Sequence, residues 1–164
     1  MRILGIDPGY AIVGYGVIDY SGNKSKPVAF SAVFTEADTD FAERLRIIYD
    51  EIDLVIKKYK PEAISIEKLY FQNNATTAIK VAEARGVILL AAQMNGVPIF
   101  EYTPLQVKSA VVGYGKAEKK QVMEMTRLLL SLQKVPQPDD TADALAIAIC
   151  HAHSSSSRIS AYKR

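Results

Sequence analysis

The chain has a single cysteine, Cys150. That excludes an intrachain disulfide and fits a reducing cytoplasm. It also lacks an apolar run of membrane-spanning length. The longest, from Val87 to Met94, contains Gln93 and falls far short of the roughly 20 residues a span needs. No signal peptide is expected, because the opening apolar run is short and Asp7 interrupts it. Internal repeats are absent as well. These absences point to a cytoplasmic protein with no membrane partner. A length of 164 residues suits one domain with a full core.

Net charge is also scarce, at +2 overall, but it is unevenly placed. Residues 1–53 hold 5 basic against 9 acidic side chains, and residues 54–164 hold 15 against 9. A basic second half is compatible with a phosphate-rich partner. On charge alone, a solvated surface is the plainer reading.

What is present is an alternation of short apolar runs and helical periods. Residues 2–7 read as a strand ended by the Pro8-Gly9 turn signal. Residues 11–20 and 26–35 read as two more strands, giving an antiparallel meander. Phe41, Leu45, Ile48, Ile52 and Val55 recur at helical spacing, with Thr39 or Asp40 as cap and Pro61 as stop. A buried strand is expected at 62–67 and a loop at 68–74. A long helix over 75–95 ends at Gly96, a strand spans 97–102, and Thr103-Pro104 starts a short helix. Further helices are expected over 118–132 and from an Asp139 cap to about residue 153. Residues 154–164 read as a disordered basic tail, leaving 1–153 as the domain. The order places a meander beside two strands that need crossover helices, an α/β fold with a five-stranded mixed sheet flanked by helices on both faces.

Four acids stand out. Asp7 and Glu67 end strands, and Asp140 and Asp143 lie one turn apart near the start of the last helix. Each has an ordinary explanation: a turn-initiating Asp, a charge at a strand end, or a pair complementing the helix dipole. If they converge, their repulsion requires a cation, and ligation by oxygen alone selects a hard one such as Mg²⁺ or Mn²⁺. His151 and His153 read as surface or interface residues rather than ligands.

The motifs together carry a resemblance. They are Gly5-Ile6-Asp7-Pro8-Gly9 with Gly14 and Gly16, Ile66-Glu67 followed by Tyr70 and Phe71, Ala84-Arg85-Gly86, Gln106-Val107-Lys108, Ala117-Glu118-Lys119, and the run from Asp140 through Asp143 to Ala148. No single one is specific. In this order, from residue 1 to about 153, the set resembles the RuvC-type Holliday junction resolvases. The resemblance implies a ribonuclease H-like fold and a homodimer that nicks four-way junction DNA in pairs of symmetric cuts. It also implies work beside a branch-migration motor complex of the RuvA and RuvB type. Asp7, Glu67, Asp140 and Asp143 match the catalytic metal-binding acids, for two Mg²⁺ per site with Mn²⁺ able to substitute. Asp7, central on the first strand, is the expected bridge between the two ions. Lys108 and Lys119 match catalytic lysines that contact phosphate.

Tyr70 and Phe71 are expected to contact DNA, one by stacking on unpaired bases while the other packs inward. Lys80 and Arg85 are further backbone contacts. Lys116 and Lys120 serve either as DNA contacts or as solvated charges. The long helix, apolar on more than one side and interrupted by Gly86, suits a second subunit. Two rivals remain. A sugar-kinase-like phosphate binder would need a second domain. A junction binder that does not cut would gain nothing from clustered acids facing phosphate.

Overall fold

The computed structural model describes residues 1–69 and 75–161. Among these, a sheet ordered β3-β2-β1-β4-β5 lies between two layers of helices. Strands β1 (Arg2–Asp7), β2 (Ile12–Ser21) and β3 (Lys24–Phe34) form the antiparallel meander. Strands β4 (Ala63–Glu67) and β5 (Ile99–Tyr102) continue on the other side of β1, both parallel. The central strand β1 is apolar on both faces, as burial on both sides requires.

One face carries α1 (Phe41–Tyr59) and α2 (Ala75–Met94). Their Ile48, Ile52, Ala84 and Ile88 pack with Leu4, Ile6, Val13 and Val17 of the sheet. Asp40 caps α1 by accepting from Ala42 N at 3.1 Å, and Lys60 ends it in the left-handed conformation, φ 49°. The other face carries α3 (Pro104–Val112), α4 (Lys119–Leu129) and α5 (Asp139–Ala161). There Val107, Val122, Leu145 and Ile149 pack on Ile3 and Ile18. A reciprocal pair between Thr103 and Gln106 opens α3.

Helix α5 lies against β1 and β2 because those strands carry glycine beneath it. A Cβ at Gly5 would collide with Ala144 O, and one at Gly14 with Asp140 O. A Cβ at Gly16 would lie 2.6 Å from Leu145 Cδ2. Any larger residue would push the helix outward.

Three expectations need correction. Helix α4 ends at Leu129, short of residue 132. Helix α5 does not stop at residue 153 but continues through Ala161, so residues 154–161 are helical. The serines there join the helix, with Ser155 Oγ donating back to Ala152 O at 2.9 Å. Asp139 is the first residue of α5 rather than its cap. The Pro138 carbonyl accepts from Thr141 N–H at 3.0 Å, which frees the Asp139 carboxylate for a different partner.

Candidate active site

The site is assembled at the carboxyl ends of β1 and β4. Residues Ile3, Gly5 and Asp7 alternate onto the face that α5 covers. Ile66 is the register partner of Ile6, so the next residues, Asp7 and Glu67, stand side by side on that face. Their strands are about 5 Å apart. On the other side Asp7 pairs with Gly14, against which the Asp140 backbone packs. The glycine contact thereby carries the first turns of α5, with Asp140 and Asp143, to the edge of Asp7.

Two lysines face these acids. Lys119, the first residue of α4, places Nζ 3.0 Å from Asp143 Oδ2 and 3.4 Å from Asp139 Oδ2. Lys108 of α3 shares with Glu67, Lys119 and Asp143 a cleft of about 240 Å³, floored by Val107, Val122 and Ala146. The four expected acids and both expected catalytic lysines therefore meet at one end of the sheet.

The electrostatics record how closely they meet. Burial, then the charges of Asp143, Glu67 and Asp140, pushes the Asp7 carboxyl up to about 8, against a small opposing pull from Lys119. Burial raises Glu67 as well, helped by Asp143 and opposed by Lys108. Asp143 is raised by burial while its bond to Lys119 resists. Such a set favours either protons or a cation.

A hard divalent cation fits this donor set of carboxylate oxygens, and the Lys119 ammonium already occupies one position of positive charge on Asp143. Among the described residues, no group of three acidic, histidine or cysteine side chains is gathered as a finished metal cage. The acids are brought to one place, and a bound cation would have to draw them closer.

The other expected contacts fare unevenly. Lys116 and Lys120 are exposed on either side of Lys119. Lys80 of α2 is half-buried, its ammonium 5.6 Å from the ring centres of both Tyr10 and Phe41. Arg85 pairs through its guanidinium with Glu101 of β5. Tyr70 and Phe71 lie outside the described residues. His151 is not on the surface; it is buried, with Nδ1 2.8 Å from the Tyr102 hydroxyl and its ring 4.3 Å from that of Phe100. His153 is half-buried, Nδ1 3.0 Å from Ala110 O.

Sequence reasoning missed two features. Asp139 faces Lys119. Arg44 is buried behind the site, where Nε donates to Thr35 Oγ1 at 2.9 Å and Nη2 to Tyr10 O at 3.2 Å, bracing the turn that follows Asp7. The signal for Arg44 was available: it falls three residues after Phe41 and four before Ile48, on the apolar face of α1.

A mixed sheet in this order, with acids at the ends of β1 and β4 and at the start of the helix laid across them, defines a ribonuclease H-like nuclease. The family model for crossover junction endodeoxyribonuclease RuvC matches residues 3–151. The RuvC of Desulfitobacterium hafniense is 58% identical over 94% of this chain and 93% of its own. The structure of Thermus thermophilus RuvC superposes with a TM-score of 0.89 at 37% identity, covering 96% of both chains. T. thermophilus RuvC in complex with Holliday junction substrate also matches at 0.89, with 35% identity and the same coverage. The chain belongs to the RuvC family of crossover junction endodeoxyribonucleases, the Holliday junction resolvases.

Proposed function

We propose that this chain cuts four-way DNA junctions as a homodimer, hydrolysing one phosphodiester in each of two strands of like polarity. Asp7, Glu67, Asp140 and Asp143 would hold two divalent cations, Mg²⁺ or in its place Mn²⁺. The observation that carries this reading is the meeting of four acids with Lys108 and Lys119 at one end of the sheet. When bound, such ions activate a water and neutralise the leaving oxygen.

The chain's own residues do the rest. Lys119 and Lys108 donate to the non-bridging oxygens of the scissile phosphate and offset its growing charge. The exposed Lys116 and Lys120 hold the flanking backbone, and Lys80 contacts it from α2. Tyr70 and Phe71 follow Glu67 closely in the chain, and their types suit stacking on unpaired bases. Water adds to phosphorus as the 3′ oxygen leaves, so the products are a 5′-phosphate and a 3′-hydroxyl.

Helix α2 supports the dimer. Ile79, Leu90 and Met94 are 57%, 51% and 69% exposed along it. Gly86 lies between them with nothing within 4 Å of where a Cβ would stand. A face with three exposed apolar side chains and an open glycine, crossed by the exposed Glu83, suits packing on a second copy. Junction cutting would place the protein with the chromosome in the bacterial cytoplasm, beside a branch-migration motor.

The test is end chemistry on a synthetic four-way junction. Paired nicks that DNA ligase reseals, and that chelation of divalent ions abolishes, are expected. Nicks that ligase cannot reseal, or cutting that persists under chelation, would contradict the mechanism.

A further inference from the structure

Lys119 sits in a position that needs explaining. It opens α4, and the first turn of a helix is unfavourable for a cation. Its ammonium is nonetheless held at the site, bracketed by Asp143 at 3.0 Å and Asp139 at 3.4 Å. Those two acids are four residues apart on α5, so they share one stripe of the helix. Asp143 is the inner one, its side chain 28% exposed, and Asp139 the outer one, 48% exposed.

The two acids have different prospects. Asp143 is a metal ligand in the reading above, and a divalent ion on its carboxylate repels an ammonium bonded to the same group. Asp139 has no such claim on it. Among the described residues, its ion-pair partner is Lys119.

We propose that Asp139 is a positioning residue: it takes over the Lys119 ammonium when a divalent cation claims Asp143, and holds it at the outer rim of the site, where a phosphate would lie. The inference rests on Asp143 being a metal ligand. The transfer is short, because the ammonium already lies between the two carboxylates. It makes no bond to the metal and moves no proton. Without Asp139 the ammonium is left with Asp143 alone and competes with the incoming ion. Asp139 therefore eases metal entry through Lys119, not as a ligand.

A double-mutant cycle read by metal binding separates this from a simple charge effect. Mn²⁺ is titrated by calorimetry into the DNA-free protein in four forms: wild type, Asp139→Asn, Lys119→Met and the double variant. Asp139→Asn is expected to weaken Mn²⁺ binding about 5-fold when Lys119 is present and less than about 2-fold when it is not. Asp139→Glu keeps the carboxylate and is expected to stay within about 2-fold of wild type. An equal loss in both backgrounds would mean that Asp139 acts only as a nearby charge and would overturn the proposal. So would no loss at all, or a loss in Asp139→Glu matching that in Asp139→Asn. Wild type that takes up no Mn²⁺ would sink the metal reading together with this one, whereas normal wild-type uptake with equal losses sinks this one alone.

Discussion

Asp7 is costly to ionise where it sits. Burial and three neighbouring acids push its carboxyl from 3.8 up to about 8. Between those values the folded chain keeps a proton on Asp7 that the unfolded chain has lost. The folded state thus binds more protons in that window, and its stability declines as pH rises through it. Asp7→Asn cannot ionise, so it should remove the decline. At pH 8 in a chelator the variant should be more stable than wild type, by on the order of 2 kcal/mol. Thermal melts from pH 5 to pH 8.5 would show two curves that diverge as pH rises; parallel curves would contradict the burial and crowding assigned to Asp7. In the proposed reading the same substitution removes a metal ligand, so the gain in stability should accompany a loss of cutting.

Several residues show where reading the sequence succeeds and where it stops. The placement of Asp7 and Glu67 was legible because each ends a short apolar strand. Asp140 and Asp143 were legible as a pair one turn apart. His151 was not, because its burial is set by Phe100 and Tyr102, some fifty residues earlier in the chain and brought over it by β5. Asp139 looked like a cap by local chemistry, and only the fold brings Lys119 to it.

Among the elements, α5 makes the site. Its first two turns reach Asp7 because Gly5, Gly14 and Gly16 leave room beneath it. Gly14→Ala would drive a methyl into the Asp140 carbonyl, with backbone on both sides and no flexible side chain to yield. It should cost about 1–3 kcal/mol or more by chemical denaturation and displace Asp140 from Asp7. An unchanged midpoint would mean that the helix approaches the sheet less closely than described. The small faces of β2 were visible in the sequence, but not that a helix backbone would fill them. The end of α5 was misjudged because a run of serines reads as loop by propensity, and continuation of a long helix overrides that preference.

Helix α2 carries a second expectation at this scale. Leu90→Glu puts a second acid beside Glu83 on the exposed face of α2 and should convert the proposed dimer to a monomer in light scattering while leaving the fold intact. A variant that remains dimeric would move the interface elsewhere.

At the scale of the molecule, charge is arranged for a polyanion. The first 53 residues are net acidic and the remainder net basic, and Lys108 and Lys119 line the cleft with Glu67 and Asp143, while Lys116 and Lys120 are exposed close by in the chain. A cluster of acids facing phosphate would repel it, so the basic rim is needed before DNA can approach. Replacing Lys116 and Lys120 by Ala should lower the slope of log affinity against log salt by about 1 for each phosphate no longer neutralised. A slope that does not change would show those lysines to be merely solvated.

The roles proposed for the four acids, the two lysines and a dimer meet in one activity, and it can be measured directly. Wild type and Asp7→Asn are compared for Mg²⁺-dependent cleavage of a synthetic four-way junction, with junction binding followed in parallel. Wild type should make symmetric paired nicks, while Asp7→Asn should bind the junction and leave it uncut. Equal cleavage by the variant, or binding without cleavage by wild type, would contradict the account.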